Sequence, residues 1–354
     1  MRVLIFTPTA LPTITGNAIT AERWRRSLRQ KGVNARVLAT QRMDVPSLLH
    51  KLERFAPALV HVHHAFRAGS LLMDSRMMFL LRDLPLVVSP GGTDINLDLE
   101  MGDRKEKVKE VYRMARVIVA QSKETLERIK DLLPYLADRI VIVPKAFYWL
   151  GHDAFDLRKA SGFNSGEMIF FLPGGIRPVK GNLECLTAFE KVYAIRAQAR
   201  IVFAGPALDT EYAAEFEKKI KSHHSFARWI PSISPAAMRS AYEASDVVLN
   251  ASSSEGLSNA LLEAVAVGKP VLASDIPGNW WPVLGEETDP PTGCLFKKDD
   301  PEDFTRYALR LIDDAKLRET FSQAARERAS CWPTPEMEAE GLIHAYRAAL
   351  RASG

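Results

Sequence analysis

Short apolar runs punctuate the first half of the chain at Val3–Phe6, Ala35–Leu38, Leu59–Val62, Leu86–Ser89, Val117–Ala120 and Ile140–Val143. Between them lie stretches of helical period such as Thr20–Lys31 and Val108–Arg116. Short apolar runs bounded by turn formers predict buried strands, and their regular alternation with helices predicts a parallel, doubly wound α/β sheet. After the polar, glycine-containing stretch Ser161–Glu167, a second series follows: Met168–Leu172, Arg200–Ala204, Ala227–Ile230, Val247–Leu249 and Val271–Ala273. Two Rossmann-like domains are therefore expected, 1–160 and 161–335. Pro333 and Pro335 interrupt the chain just before Glu336–Leu350, which reads as a final amphipathic helix.

A chain of 354 residues, 47% of them apolar, can bury two sizeable cores. No apolar run approaches the roughly 20 residues of a membrane span, and Met1–Phe6 is too short for a signal-peptide core, so it reads as a first buried strand. Cys185, Cys294 and Cys331 are odd in number and lack ligand spacing, which predicts a reduced, cytoplasmic setting without disulfides or zinc. The net charge of +4 hides an asymmetry: residues 1–165 hold 26 Lys/Arg against 17 Asp/Glu, and the remainder 21 against 26. A basic first domain could attract an anionic acceptor or lie peripherally against an anionic membrane, with Arg104–Lys109 the densest cluster. The interleaved Glu106 and Glu110 suit an ordinary solvated helix face equally. Nothing resembles a nucleic-acid motif, and the oligomeric state is not legible.

The most chemically specific segment is Ser254–Glu263, Ser-Glu-Gly-Leu-Ser-Asn-Ala-Leu-Leu-Glu. It follows the strand ending at Asn250 and enters a helix that Gly268-Lys269-Pro270 stops. Open N–H groups of Gly256, Leu257, Ser258 and Asn259 at the helix mouth would hold a diphosphate. Glu255 would then reach sugar hydroxyls on one side and Glu263 ribose hydroxyls on the other. The competing reading makes Glu255 a complement to the helix dipole and Glu263 a solvated helix residue. Gly174-Gly175-Ile176-Arg177-Pro178-Val179-Lys180 follows another strand, so Arg177 and Lys180 are expected as cationic partners of the same diphosphate.

Glu255-x7-Glu263 followed by Ala264-x-x-x-Gly268-Lys269-Pro270-Val271 resembles the retaining glycosyltransferases of family 4. Thr15–Ala21 and Gly91–Asn96 resemble the subgroup of glycosyltransferase 1 domain-containing proteins and, more distantly, selenosugar synthases. The resemblance implies the GT-B fold: two Rossmann-like domains facing across a cleft, with the last helix crossing back onto the first. It implies a nucleoside-diphosphate sugar as co-substrate, most commonly UDP-linked, and an acceptor that the sequence does not identify. Gly16 and Asn17 fall in a loop that approaches the donor. Val60-His61-Val62-His63-His64 matches a Val-His-x-His segment with a cleft-facing histidine; His63 is the first candidate, with His61 and His64 open. Ser89-Pro90-Gly91-Gly92-Thr93-Asp94 stands where many relatives read His-Gly-Thr-Asp, so Gly91 replaces a histidine while Thr93 and Asp94 remain acceptor-side candidates. Trp229 and Ile230 align with a segment that reads the nucleobase. Trp280-Trp281 could be core or a stacking surface, with core favoured.

The implied chemistry is glycosyl transfer with retention, by same-face attack within an ion pair, Glu255 orienting the sugar rather than acting as nucleophile. Without an Asp-x-Asp signature, and with Arg177, Lys180 and a helix dipole available, neither a catalytic metal nor a further cofactor is expected. A sugar-nucleotide epimerase or hydrolase, or a non-catalytic nucleotide-sugar-binding protein, remain the alternatives.

Overall fold

The computed structural model describes residues 1–41 and 43–351 and divides into two compact units, Met1–Tyr148 with Pro333 onward, and Trp149–Trp332. Among the described residues, the first unit holds strands β1 (Arg2–Thr7), β2 (Asn34–Ala39), β3 (Leu59–His63), β4 (Leu86–Ser89), β5 (Val117–Ala120) and β6 (Ile140–Ile142). They pair in parallel in the order β2-β1-β3-β4-β5-β6. Val3, Ile5, Leu59, Val87 and Val119 face one core with Trp24 and Leu28; Leu4, Phe6, Val60, Val62 and Val88 face another with Leu52, Met77 and Val111. Burial on both faces is why these strands read as unbroken apolar runs.

The last helix, Pro335–Arg351, sets Ala339, Leu342, Ala345 and Tyr346 into the core that holds Trp24. Its Glu338 Oε1 accepts from Trp24 Nε1 at 2.8 Å and Gln121 Nε2 at 3.2 Å, so the helix belongs to the first unit.

The second unit contains β7 (Met168–Pro173), β8 (Ala199–Ala204), β9 (Ala227–Ile230), β10 (Val247–Asn250), β11 (Val271–Ser274) and β12 (Gly293–Phe296), all parallel in the order β12-β11-β10-β7-β8-β9. β12 escaped the sequence reading because it is four residues long and follows Pro290-Pro291. The expected boundary at 160 also moves. Leu157 and Phe163 are buried beside Ile169 and Tyr242, and Asp153 N–H donates to the Ala236 carbonyl at 2.8 Å, so residues 149–160 fold with the second unit. The polar Ser161–Glu167 stretch is a tied turn rather than a linker: Arg158 Nη1 donates to the carbonyls of Asn164 and Glu167, both at 2.8 Å.

Residues Arg104–Lys109 lie on the helix Gly102–Met114, where Lys109 pairs with Glu106 at 3.3 Å and Arg113 with Glu110 at 3.0 Å. These are the contacts of a solvated helix face. No helix among the described residues is long and apolar enough to cross a membrane. Each sheet reverses its winding once, between β1 and β3 and between β7 and β10. Chains leaving two such strands diverge to opposite faces and open a crevice at the C-terminal strand ends.

Candidate active site

The crevice beyond β7 and β10 brings charged side chains of two loops together. After β7 the chain turns through Arg177 and Lys180 before the helix Asn182–Ile195; after β10 it runs through Ser252 and Glu255 to the helix Asn259–Ala266. Ser253 N–H donates to the Val179 carbonyl at 2.9 Å, stitching the two loops together. Glycine makes the approach possible. At Gly181, with φ of +60°, a Cβ would sit 2.3 Å from the Ala251 carbonyl oxygen, and one on Gly278 would sit 2.5 Å from that of Glu255.

Lys180 Nζ donates to Glu255 Oε1 at 2.5 Å, and Ser252 Oγ donates to the same oxygen at 2.7 Å. Asn250 Nδ2 bridges Glu255 Oε1 at 3.4 Å and Ser258 Oγ at 2.8 Å. Burial opposes ionisation of Glu255, but Lys180, Ser252 and Arg177 outweigh it and hold the carboxyl below its ordinary range. Burial lowers the Arg177 pKa against the pull of Glu255, and Arg177 Nε is buried without a hydrogen-bond partner among the described residues. A half-buried guanidinium with an unused donor beside an ammonium can hold an anion that accepts several hydrogen bonds at once.

The helix mouth is more occupied than the sequence suggested. Ser258 N–H is turned to the Gly278 carbonyl at 3.4 Å, so the expected row of open N–H groups from Gly256 through Leu257 and Ser258 to Asn259 is interrupted. Glu263 is not solvated; it lies on the buried side of its helix among Leu261, Leu262, Ala264 and Val265. Trp229 Nε1 donates to the Gly205 carbonyl at 2.9 Å, and Gly205 N–H donates to the Ile230 carbonyl at 3.0 Å. A Cβ on Gly205 would meet the Gly174 carbonyl oxygen at 2.2 Å, so the turn after β8, to which the end of β9 is bonded, abuts the loop bearing Arg177. Trp281 stacks on Trp332 with centroids 5.7 Å apart, whereas Trp280 is 41% exposed and donates to Asp275, against the expectation that both are core.

The crevice beyond β1 and β3 in the first unit is built around buried histidines and one buried carboxyl group. Gly16 and Asn17 open the helix Gly16–Gln30 instead of standing in a loop, because Thr15 caps it, Oγ1 accepting from Ala18 N–H at 3.1 Å. His61 is structural: its ring bonds Tyr346 Oη at 2.8 Å and Ser89 Oγ at 2.7 Å and stacks on Trp24. His63 ends β3 edge-on to Trp24, and its Nδ1 is buried without a partner among the described residues. Burial, with neighbouring charge, pushes both rings down to about 3, so both are neutral at physiological pH. Asp94 does not face outward; it is fully buried and accepts from Ala65 N–H at 2.7 Å and Gly91 N–H at 2.9 Å. Thr93 stands half-buried beside it.

The sequence reading missed Asn250, Ser252 and Gly278. Asn250 and Ser252 act on Glu255 from three to five residues away, and the polar Asn250 closing an otherwise apolar strand is a usable signal; Gly278 acts through a close approach to a loop distant in sequence.

The sequence model of glycosyl transferases group 1 matches residues 153–328, and that of glycosyltransferase family 4 matches residues 2–147. The chain is made of two glycosyltransferase domains. Glycosyltransferase 1 domain-containing protein 1 of Xenopus tropicalis is 28% identical over 92% of both chains. Sucrose-phosphate synthase from Thermosynechococcus elongatus superposes with a TM-score of 0.80 at 16% identity, covering 99% of each chain. HepE from Anabaena, in complex with UDP-glucose, does so with a TM-score of 0.79 at 15% identity, covering 98% of this chain and 100% of its own. The fold is that of the GT-B glycosyltransferases, and the Arg177–Lys180–Glu255 knot lies within the part matched by the group 1 model.

Proposed function

We propose that this glycosyltransferase moves a sugar from a nucleoside-diphosphate donor, UDP-linked, to a small nucleophilic acceptor with retention of anomeric configuration and without a catalytic metal. The observation that carries the reading is the ion-paired knot at the switch point of the second sheet, with its unused Arg177 donor. A diphosphate entering there accepts from Arg177 and draws Lys180 off Glu255, leaving that carboxylate to accept from the sugar hydroxyls. As the anomeric C–O bond breaks, negative charge grows on the departing phosphate oxygen, where a fixed guanidinium and ammonium stabilise it more than in the ground state. The acceptor oxygen bonds to the same face of the anomeric carbon and gives its proton to the departing phosphate oxygen. The UDP assignment draws support from HepE, whose structure holds UDP-glucose.

Purified protein is incubated with UDP-, GDP- and ADP-sugars, nucleotide release is followed with and without chelator, and the product anomer is read by NMR. The expected result is release from a UDP-sugar that survives chelation and a product that keeps the donor's configuration. Loss of turnover on chelation, or an inverted product, contradicts the mechanism.

A further inference from the structure

Directly after β3 the chain turns through His64, whose φ of +82° is a left-handed conformation that is strained for a non-glycine residue. Its surroundings hold it there. Asp94 ties Ala65 N–H at 2.7 Å to Gly91 N–H at 2.9 Å, and His64 N–H donates to the Ser89 carbonyl at 2.9 Å. Arg67 N–H donates to His64 Nδ1 at 3.1 Å. Because Nδ1 accepts, the ring proton sits on Nε2 and donates to Thr93 Oγ1 at 2.8 Å. A hydroxyl that accepts this bond keeps its own proton for another acceptor. Thr93 is half-buried in the turn that leaves β4, next to β3 and its switch point.

The ring also occupies space belonging to another residue. A Cβ on Gly91 would lie 2.6 Å from His64 Cδ2 and 2.8 Å from its Cγ, so no side chain at 91 coexists with this imidazole. The His-Gly-Thr-Asp motif that this segment resembles has a histidine in the place of Gly91; here an imidazole reaches the same place from the end of β3.

We propose that His64 is a positioning residue that fills the room of the absent residue-91 side chain and aims the Thr93 hydroxyl, as a hydrogen-bond donor, at an oxygen of the substrate. Glycine at 91 is the steric condition for this arrangement. The kinetic consequence rests on the glycosyl-transfer reading; the tautomer and the packing do not.

The test combines imidazole 15N NMR at pH 7 with thermal unfolding and kinetics of Thr93→Val, His64→Asn, their double variant, Gly91→His and the exchange His64→Gly/Gly91→His. His64→Asn keeps a residue that tolerates the left-handed backbone. The expected tautomer is Nε2–H. Thr93→Val and His64→Asn each lower kcat/KM about tenfold without lowering Tm by more than a few degrees, and the double variant loses little more, as residues acting in one unit do. Gly91→His alone unfolds at markedly lower temperature, and the exchange recovers both Tm and part of the activity. An Nδ1–H tautomer, wild-type kcat/KM in Thr93→Val, losses that multiply in the double variant, or an exchange no more stable than Gly91→His would each overturn the proposal. If the wild-type chain turns over no donor at all, the transfer reading fails, and the tautomer and the stability of the exchange still decide this one.

Discussion

The two switch points of this molecule solve the same topological problem with opposite chemistry. At the β7/β10 crevice, Arg177, Lys180 and Glu255 form a charged knot in which Glu255 stays ionised and Arg177 keeps an unused donor. At the β1/β3 crevice, His61 and His63 are held neutral by burial and Asp94 is consumed by backbone N–H groups. Charges retained where they can be re-paired suit an ionic ligand; groups already locked into place suit a surface that shapes rather than neutralises its ligand.

The largest expected effect falls on the charged knot. Arg177→Ala or Lys180→Ala should cost about 2–4 kcal/mol of transition-state stabilisation, roughly 30- to 900-fold in kcat/KM, read by nucleotide release. Unchanged rates in both would erase the contrast between the two crevices. Next comes Gly278→Ala, whose added methyl has no room beside the Glu255 carbonyl; donor affinity measured by calorimetry should fall on the order of tenfold through displacement of that loop.

A third prediction sharpens the β1/β3 side through pH. Burial raises Glu338 to about 7, against the bonds from Trp24 and neighbouring cations, so between 4.5 and about 7 the folded state holds a proton that the unfolded chain releases. That term removes stability as pH rises through the window. His61 and His63, lowered from 6.5 to about 3, act oppositely and remove stability as pH falls below 6.5. Replacing Glu338 by Gln therefore makes urea stability climb more steeply with pH between 4.5 and 7, by up to about 1.4 kcal/mol per pH unit. Parallel slopes for wild type and variant would show that Glu338 is ionised in the fold. The smallest effect belongs to the solvated face, where Lys109→Ala should change stability by less than about 0.5 kcal/mol.

Much of the fold was legible because strands buried on both faces leave apolar runs that need no context. β12 and the unit boundary near 148 were not, since four residues after two prolines carry no period and the polar Ser161–Glu167 is a turn fixed by Arg158. In the site, Arg177, Lys180 and Glu255 could be read because strand-to-helix loops at a switch point project charged residues into one crevice. The occupation of Ser258 N–H by Gly278, the burial of Glu263 and the filling of residue 91's space by His64 depend on contacts between segments distant in sequence. No local pattern encodes them.

If the unused Arg177 donor and the Lys180–Glu255 pair receive a nucleoside diphosphate, then UDP binding in the presence of chelator, measured by calorimetry on wild type and Arg177→Ala, depends on the guanidinium. Saturable binding to the wild type that weakens at least about tenfold in the variant is the predicted result. Equal affinity for the two proteins would contradict it.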